Sequence, residues 1–231
     1  MMSSKRRTSK LGEQEDSSAS ISKIKKRRVS SKKTKEQDEV VENDSLFVQI
    51  LKSSGMTLKS GEQQNELAVD QMAFQKTLQQ SLKKHPRSSN VTEEFMAGLE
   101  SHIEDRERFR NCLLPCGRSE EEGNPVFSSF HDSLIKILLG IDTLQGPLIN
   151  LLFEKMPEFL YDSFGSDGIS IPRLIINQLK WLDLIVSSKD LTSKIMQLVL
   201  VSPADVQQHI ISSLPEILED SEHNDVAKEL R

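Results

Sequence analysis

Aromatic side chains are scarce in this chain. One tryptophan, one tyrosine and nine phenylalanines make up 5% of its 231 residues, so any core must rest mainly on Leu, Ile and Val. Cysteine is scarcer still: Cys112 and Cys116 are too few to staple a small fold. Pro115 between them argues against a regular helix across the pair, and both are expected as reduced thiols of an intracellular protein. No run of about 18 apolar residues occurs, which excludes a membrane-spanning helix and gives no reason to expect a membrane partner. The N-terminus is polar and basic with no apolar stretch behind it, unlike a secretory signal.

Catalytic arrangements are also missing. The sequence has no Gly-rich phosphate loop, no G-x-S-x-G elbow, no His-Glu-x-x-His and no paired-cysteine zinc spacing. Its five histidines, His85, His102, His131, His209 and His223, are scattered. The carboxylate runs Glu93-Glu94 and Glu120-Glu121-Glu122 read as solvated faces, because adjacent residues on a helix do not converge. Trp181 is expected in a core stripe. No enzyme activity, cofactor or metal is expected.

Charge is unevenly placed. Residues 1–35 hold twelve Lys/Arg against three Asp/Glu, residues 36–44 add five acids, and the remaining residues carry eighteen bases against twenty-seven acids. Residues 1–44 have almost no large apolar side chains, cannot offset their ordering entropy by burial, and are expected as a disordered tail. Within it Lys25-Lys26-Arg27-Arg28 forms a compact basic run, preceded by Lys23 and followed by Lys32, Lys33 and Lys35, with Lys5-Arg6-Arg7 upstream. Such a run fits the acidic groove of a nuclear import receptor, directing the chain to the nucleus. It also suits non-specific contact with phosphates, or simple solvation. The acidic remainder argues against its being the main DNA-contacting surface.

From Ser45 onward the apolar residues fall at helical spacing: Phe47, Ile50 and Leu51; Phe74, Leu78 and Leu82, with a stop at His85-Pro86; then Phe95, Leu99 and Ile103. Residues 117–125 read as an acidic, exposed loop. The stretch from Phe127 to Leu160 predicts two or three short buried helices divided at Gly140, Gly146-Pro147 and Pro157. Ser170 and Pro172 mark a helix entry, with Ile175, Leu179, Leu182 and Val186 along one face. Asp190 is expected to cap a helix holding Leu191, Ile195 and Leu198. Ser202-Pro203 is expected to open another, with Val206, Ile210 and Leu214 beneath it, and Pro215 begins a further short segment. The run Leu198-Val201 has strand propensity but no alternating partner, so it is assigned to helix. Short Pro/Gly/Ser connections between such helices predict an all-α, irregular HEAT-like α-solenoid of antiparallel helix pairs over residues 45–231. The close at Lys228-Glu229-Leu230-Arg231 has no capping signal and is expected to cut through a helix.

Longer runs add a resemblance. VENDSLFVQILKSSG (41–55), GEQQNELAVDQMAFQKTL (61–78), EEFMAGLESHIED (93–105), FRNCLL (109–114) and SLIKILLGID (133–142) are similar to the N-terminal region of the Fanconi anaemia group D2 family. So are LFEKMPEF (152–159), IPRLIINQLKWLD (171–183), KDLTSKIMQL (189–198) and SLPEILEDSEHNDVAKEL (213–230). The loop at 117–130 departs from the pattern, and the basic tail matches only in kind. The resemblance implies a fragment of a large nuclear α-solenoid that pairs with the Fanconi group I protein in repairing DNA interstrand crosslinks. It implies that one lysine receives ubiquitin and that the modified pair closes around DNA. That lysine and most of the DNA-enclosing surface are expected beyond Arg231. It further implies a CUE-like segment matching residues 190–231, with Leu200, Val201, Ser202 and Pro203 at its apolar-Pro loop and the last three as the ubiquitin-binding residues. The di-leucine of a complete CUE element is absent from this stretch.

Overall fold

In a computed structural model the chain divides into two units, Met1–Val41 and Glu42–Arg231. The structure describes residues 44–61, 63–85, 90–118, 132–161 and 168–230, all in the second unit. Among them are ten α-helices, one 3-10 turn and three two-residue strands. The fold is all-α, with helices packed in pairs as in an irregular solenoid.

The first helices form where the periodicity predicts them. Helices α1 (Leu46–Ser54), α2 (Gln71–Lys84) and α3 (Val91–Ile103) bury Phe47, Phe74 and Phe95 completely, with Ile50, Leu51, Leu78, Leu82, Leu99 and Ile103 beside them. Burying each such side chain contributes about 1.5–3 kcal/mol. Two are capped at the entrance: Val48 N–H donates to Ser45 Oγ at 3.4 Å, and Met72 N–H to Asp70 Oδ2 at 3.0 Å. Helix α1 ends at Gly55 with φ of 100°, the left-handed conformation favoured at a helix C-terminus. The phenylalanine rings of Phe47 and Phe95 meet edge-on, 5.1 Å between centroids. Gly98 makes this approach possible, since a Cβ there would lie 2.6 Å from Phe47 Cβ.

Helix α4 (Arg106–Leu113) packs on α3 and ends before Pro115. Its Cys112 is buried, as is Cys116 just beyond; both thiols are free. Short strands β1 (Met56–Thr57) and β2 (Glu66–Leu67) pair antiparallel, and β3 (Gly117–Arg118) lies parallel to β2. This ribbon was not visible as an alternating pattern because each strand has two residues. It also corrects the start of the expected 117–125 loop. Residues 119–131 lie outside the described residues.

Helices α5 (Leu134–Leu139) and α6 (Asp142–Lys155), followed by the 3-10 turn Met156–Phe159, make up the most apolar stretch. The break expected at Gly146-Pro147 does not occur: α6 runs through it. Proline removes one helical N–H and crowds the carbonyl four residues earlier. Both Pro147 and Thr143 are exposed, so water can serve that carbonyl. Pro215 likewise lies inside α9 (Ala204–Ile217), with Ile211 four residues earlier exposed, and starts no new segment.

Helix α7 (Ile171–Leu179) enters with Pro172 in its first turn, as expected, although Ser170 makes no side-chain cap bond and its buried hydroxyl has no partner. Helix α8 (Ser188–Val201) confirms helix over Leu198-Val201. Its N-cap is Ser187, and Asp190 instead sits in the first turn, paired with Lys194. Val206, Ile210 and Leu214 are buried along α9, which packs on α7 and α8, and α10 (Asp220–Glu229) rests on α8 and α9.

Candidate interaction surfaces

The apolar face expected to continue from α7 through Leu182 and Val186 is broken. Lys180 is extended and Trp181 takes φ of 55°, a left-handed conformation rare for a bulky residue. Trp181 is 69% exposed, which overturns its expected place in the core stripe, and Leu184 (58%) and Val186 (55%) are also outside. The cause is a set of ties from distant parts of the chain. Trp181 N–H donates to the Glu216 carbonyl at 2.8 Å, filling an orphan acceptor in the last turn of α9. Lys180 Nζ lies 2.8 Å from the Glu216 carboxylate. Gln145, buried within α6, donates from Nε2 to the carbonyls of Leu139 (3.0 Å) and Leu184 (2.7 Å) and accepts from Val186 N–H at 2.6 Å. A continuing helix would forfeit these bonds inside the protein, where an unmet polar group costs about 1–3 kcal/mol.

Beside this loop lies a depression of about 130 Å³ whose polar wall includes Asp132, Lys136, Asp142 and Asp183. Asp132 pairs with Lys136 at 3.8 Å. Among the described residues Asp142 and Asp183 form no ion pair, so the wall keeps an acidic excess.

A second surface lies at the α8–α9 junction. Val201 is 61% exposed and Leu200 79%. Val201 lines a groove of about 350 Å³ with Phe153, Glu154, Lys194 and Leu198. Of the three residues expected to meet ubiquitin, only Val201 faces outward freely; Pro203 is half-buried and Ser202 is buried. The Ser202 side chain caps neither helix, and its hydroxyl has no partner. Leu200, expected at the start of the apolar-Pro loop, also faces outward beside Val201.

The basic residues Lys5, Arg6, Arg7, Lys23, Lys25, Lys26, Arg27, Arg28, Lys32, Lys33 and Lys35 lie outside the described residues. His131 does too. His102 lies against Phe47 at a tilt, 5.6 Å between ring centres, and burial, helped by Arg108, holds its pKa below the ordinary value. His209 Nε2 lies 3.2 Å from Asn177 Oδ1; burial, then Lys180 and Arg173, lower its pKa as well. Burial pushes the thiols of Cys112 and Cys116 up to about 12, so neither is a reactive thiolate near neutral pH. Among the described residues no group of three or more His, Cys, Asp or Glu could hold a metal ion, and no helix is long and apolar enough to cross a membrane.

Paired helices that hold apolar side chains outside on an ordered frame place the described part among all-α, solenoid-like proteins. The model of the family described as "Fanconi anaemia protein FancD2 nuclease" matches residues 1–231. The chain is 52% identical to the Fanconi anemia group D2 protein homolog of Rattus norvegicus over 231 residues, and 52% identical to that of Mus musculus over 229. It is 50% identical to the Fanconi anemia group D2 protein of Gallus gallus over 235. Each match covers 99% of this chain and 16% of the relative. The chain belongs to the Fanconi anaemia group D2 family, and it spans about 16% of the length of these curated relatives.

Proposed function

We propose that the chain is a non-enzymatic scaffold piece of a nuclear protein that repairs DNA interstrand crosslinks, working through protein partners and ubiquitin signalling. The observation that carries this reading is the 50–52% identity to group D2 relatives over 99% of the chain. The family description includes the word nuclease. Nuclease chemistry generally relies on carboxylates gathered around metal ions, and the reading assigns that role to none of the described residues.

In this reading the helical part contacts the Fanconi group I protein, and the basic tail engages a nuclear import receptor. DNA is held mainly by regions outside this chain. Calorimetry of the purified chain against the Fanconi group I protein, with helicity checked by circular dichroism, is expected to show binding. A helical sample that does not bind would leave only a structural end-repeat. Replacing Lys25, Lys26, Arg27 and Arg28 with Ala is expected to leave a fluorescent fusion in the cytoplasm; unchanged nuclear accumulation would remove the import role.

The charge of the tail, twelve bases against three acids over residues 1–35, favours a second reading in which it binds DNA directly. That reading requires salt-steep, sequence-indifferent binding that vanishes when residues 1–44 are deleted. Ubiquitin contact through Val201 and Pro203 is supported by the exposure of Val201 and the apolar groove beside it. A Val201→Asp change should then abolish any chemical-shift perturbation of labelled ubiquitin.

A further inference from the structure

Trp181 combines three costs that a purely structural loop would avoid. Its backbone has positive φ, where glycine is unstrained and a bulky side chain is not. Its indole is 69% exposed, although tryptophan is the largest apolar side chain the chain possesses and it has only one. Leu184 and Val186, three and five residues on, are exposed as well.

The loop is nonetheless held in one conformation. Gln145 grips it at both Leu184 and Val186, and the carbonyl of Glu216 grips it at Trp181. The exposed side chains therefore ride on a fixed backbone, and a partner need not supply the entropy of ordering it. Rigid, exposed aromatics with flanking aliphatics are the residues that dominate binding energy when a partner covers them.

Charge selects the partner. Indole, Leu182, Leu184 and Asp183 border the same depression as Asp142, and those two aspartates lack a cationic partner among the described residues. A lysine or arginine entering there would pair with them, and a guanidinium could also lie over the indole face.

We propose that the Trp181 loop is a docking surface for a basic, apolar-anchored segment of another protein, with an aliphatic side chain against Trp181 and Leu184 and a Lys or Arg at Asp142 and Asp183. This deepens the scaffold reading by naming a surface and the chemistry of what it holds.

The test uses the full chain and a labelled synthetic peptide of alternating leucine and arginine, beside a twin with glutamate for every arginine. Because Trp181 is the sole tryptophan, its emission should shift to the blue as the arginine peptide binds, and the glutamate twin should leave it unchanged. By anisotropy of the labelled peptide, Trp181→Ala and the double change Asp142→Lys, Asp183→Lys should each weaken binding by at least about tenfold. Circular dichroism should show both variants folded. Leu200→Lys, at the other surface, should leave peptide affinity unchanged.

Lack of binding, equal binding of the twin, or affinity that survives Trp181→Ala would overturn the proposal. Concentration-dependent self-association lost on Trp181→Ala would overturn it in favour of a second copy. The two readings fail separately: binding of the Fanconi group I protein without peptide binding sinks only the docking site, and the reverse result sinks only the scaffold partner.

Discussion

The helices around Phe95 and those around Ile210 solve the same packing problem with different materials. In the first group four phenylalanines, Phe47, Phe74, Phe95 and Phe109, are completely buried, and Gly98 lets α1 and α3 approach closely. In α8–α10 the core holds Leu, Ile, Met and Val without a single aromatic, while Leu200, Val201 and Ile211 stay outside. Aromatic rings fill space in large units with fixed orientations and close the core around them. Aliphatic helices of similar length reach burial with part of their apolar surface left over. The first group thus closes its centre with rings and leaves Met72 as the large apolar side chain exposed on its helices, whereas the second leaves Leu200, Val201 and Ile211 outside.

The largest expected effect strikes the closed end. Phe95→Ala removes a fully buried ring that touches Phe47 and should cost about 3–5 kcal/mol in chemical unfolding followed by circular dichroism. A loss below about 1 kcal/mol would mean that α1 and α3 collapse into the space, and the contrast between the ends would dissolve.

Acidification sharpens the comparison through His102 at one end and His209 at the other. His102 and His209 both titrate below the ordinary 6.5 when folded. The unfolded chain therefore takes up protons first as pH falls. The stability linked to these neutral imidazoles is fully present above about pH 6.5 and declines as pH drops through that value toward their lower folded pKa. Thermal midpoints between pH 7 and pH 5 should fall, and His102→Gln and His209→Gln should each flatten the fall. His102, packed against Phe47 in the closed end, should account for the larger share; an equal or reversed division would deny that this end excludes water better.

The smallest effect belongs to the open surface. Leu200→Lys should alter stability by no more than about 0.5 kcal/mol, as for an exposed site without special contacts. A larger loss by the same unfolding measurement would show that Leu200 is not free.

What could be read from the sequence follows the same divide. The stripes of α1, α2 and α3 were legible because periodicity alone places Phe47, Phe74 and Phe95 inside. Helix over Leu198-Val201 was legible because the sequence offers that run no partner with an alternating pattern. Pro147 and Pro215 misled, since Thr143 and Ile211, four residues before them, are exposed and leave their orphaned carbonyls open to water. The Trp181 loop was illegible for a stronger reason. The Gln145 ties to Leu184 and Val186 span 39 and 41 residues of chain, and no local pattern reports them. Likewise Ser202 read as a cap, but its hydroxyl is buried without a partner. The family runs at 171–183 and 189–198 were recognisable without revealing that the chain leaves the helix after Leu179, inside the first of them.

The bond from Trp181 to the last turn of α9 links the loop to the far end of the unit. Amide hydrogen exchange at Trp181 requires that bond to open. Its exchange rate therefore reports separation of the loop from the end of α9, thirty-five residues later in the chain. A partner that clamps the loop should therefore slow exchange at Trp181 itself, so that one amide reports on the hold between loop and helix end.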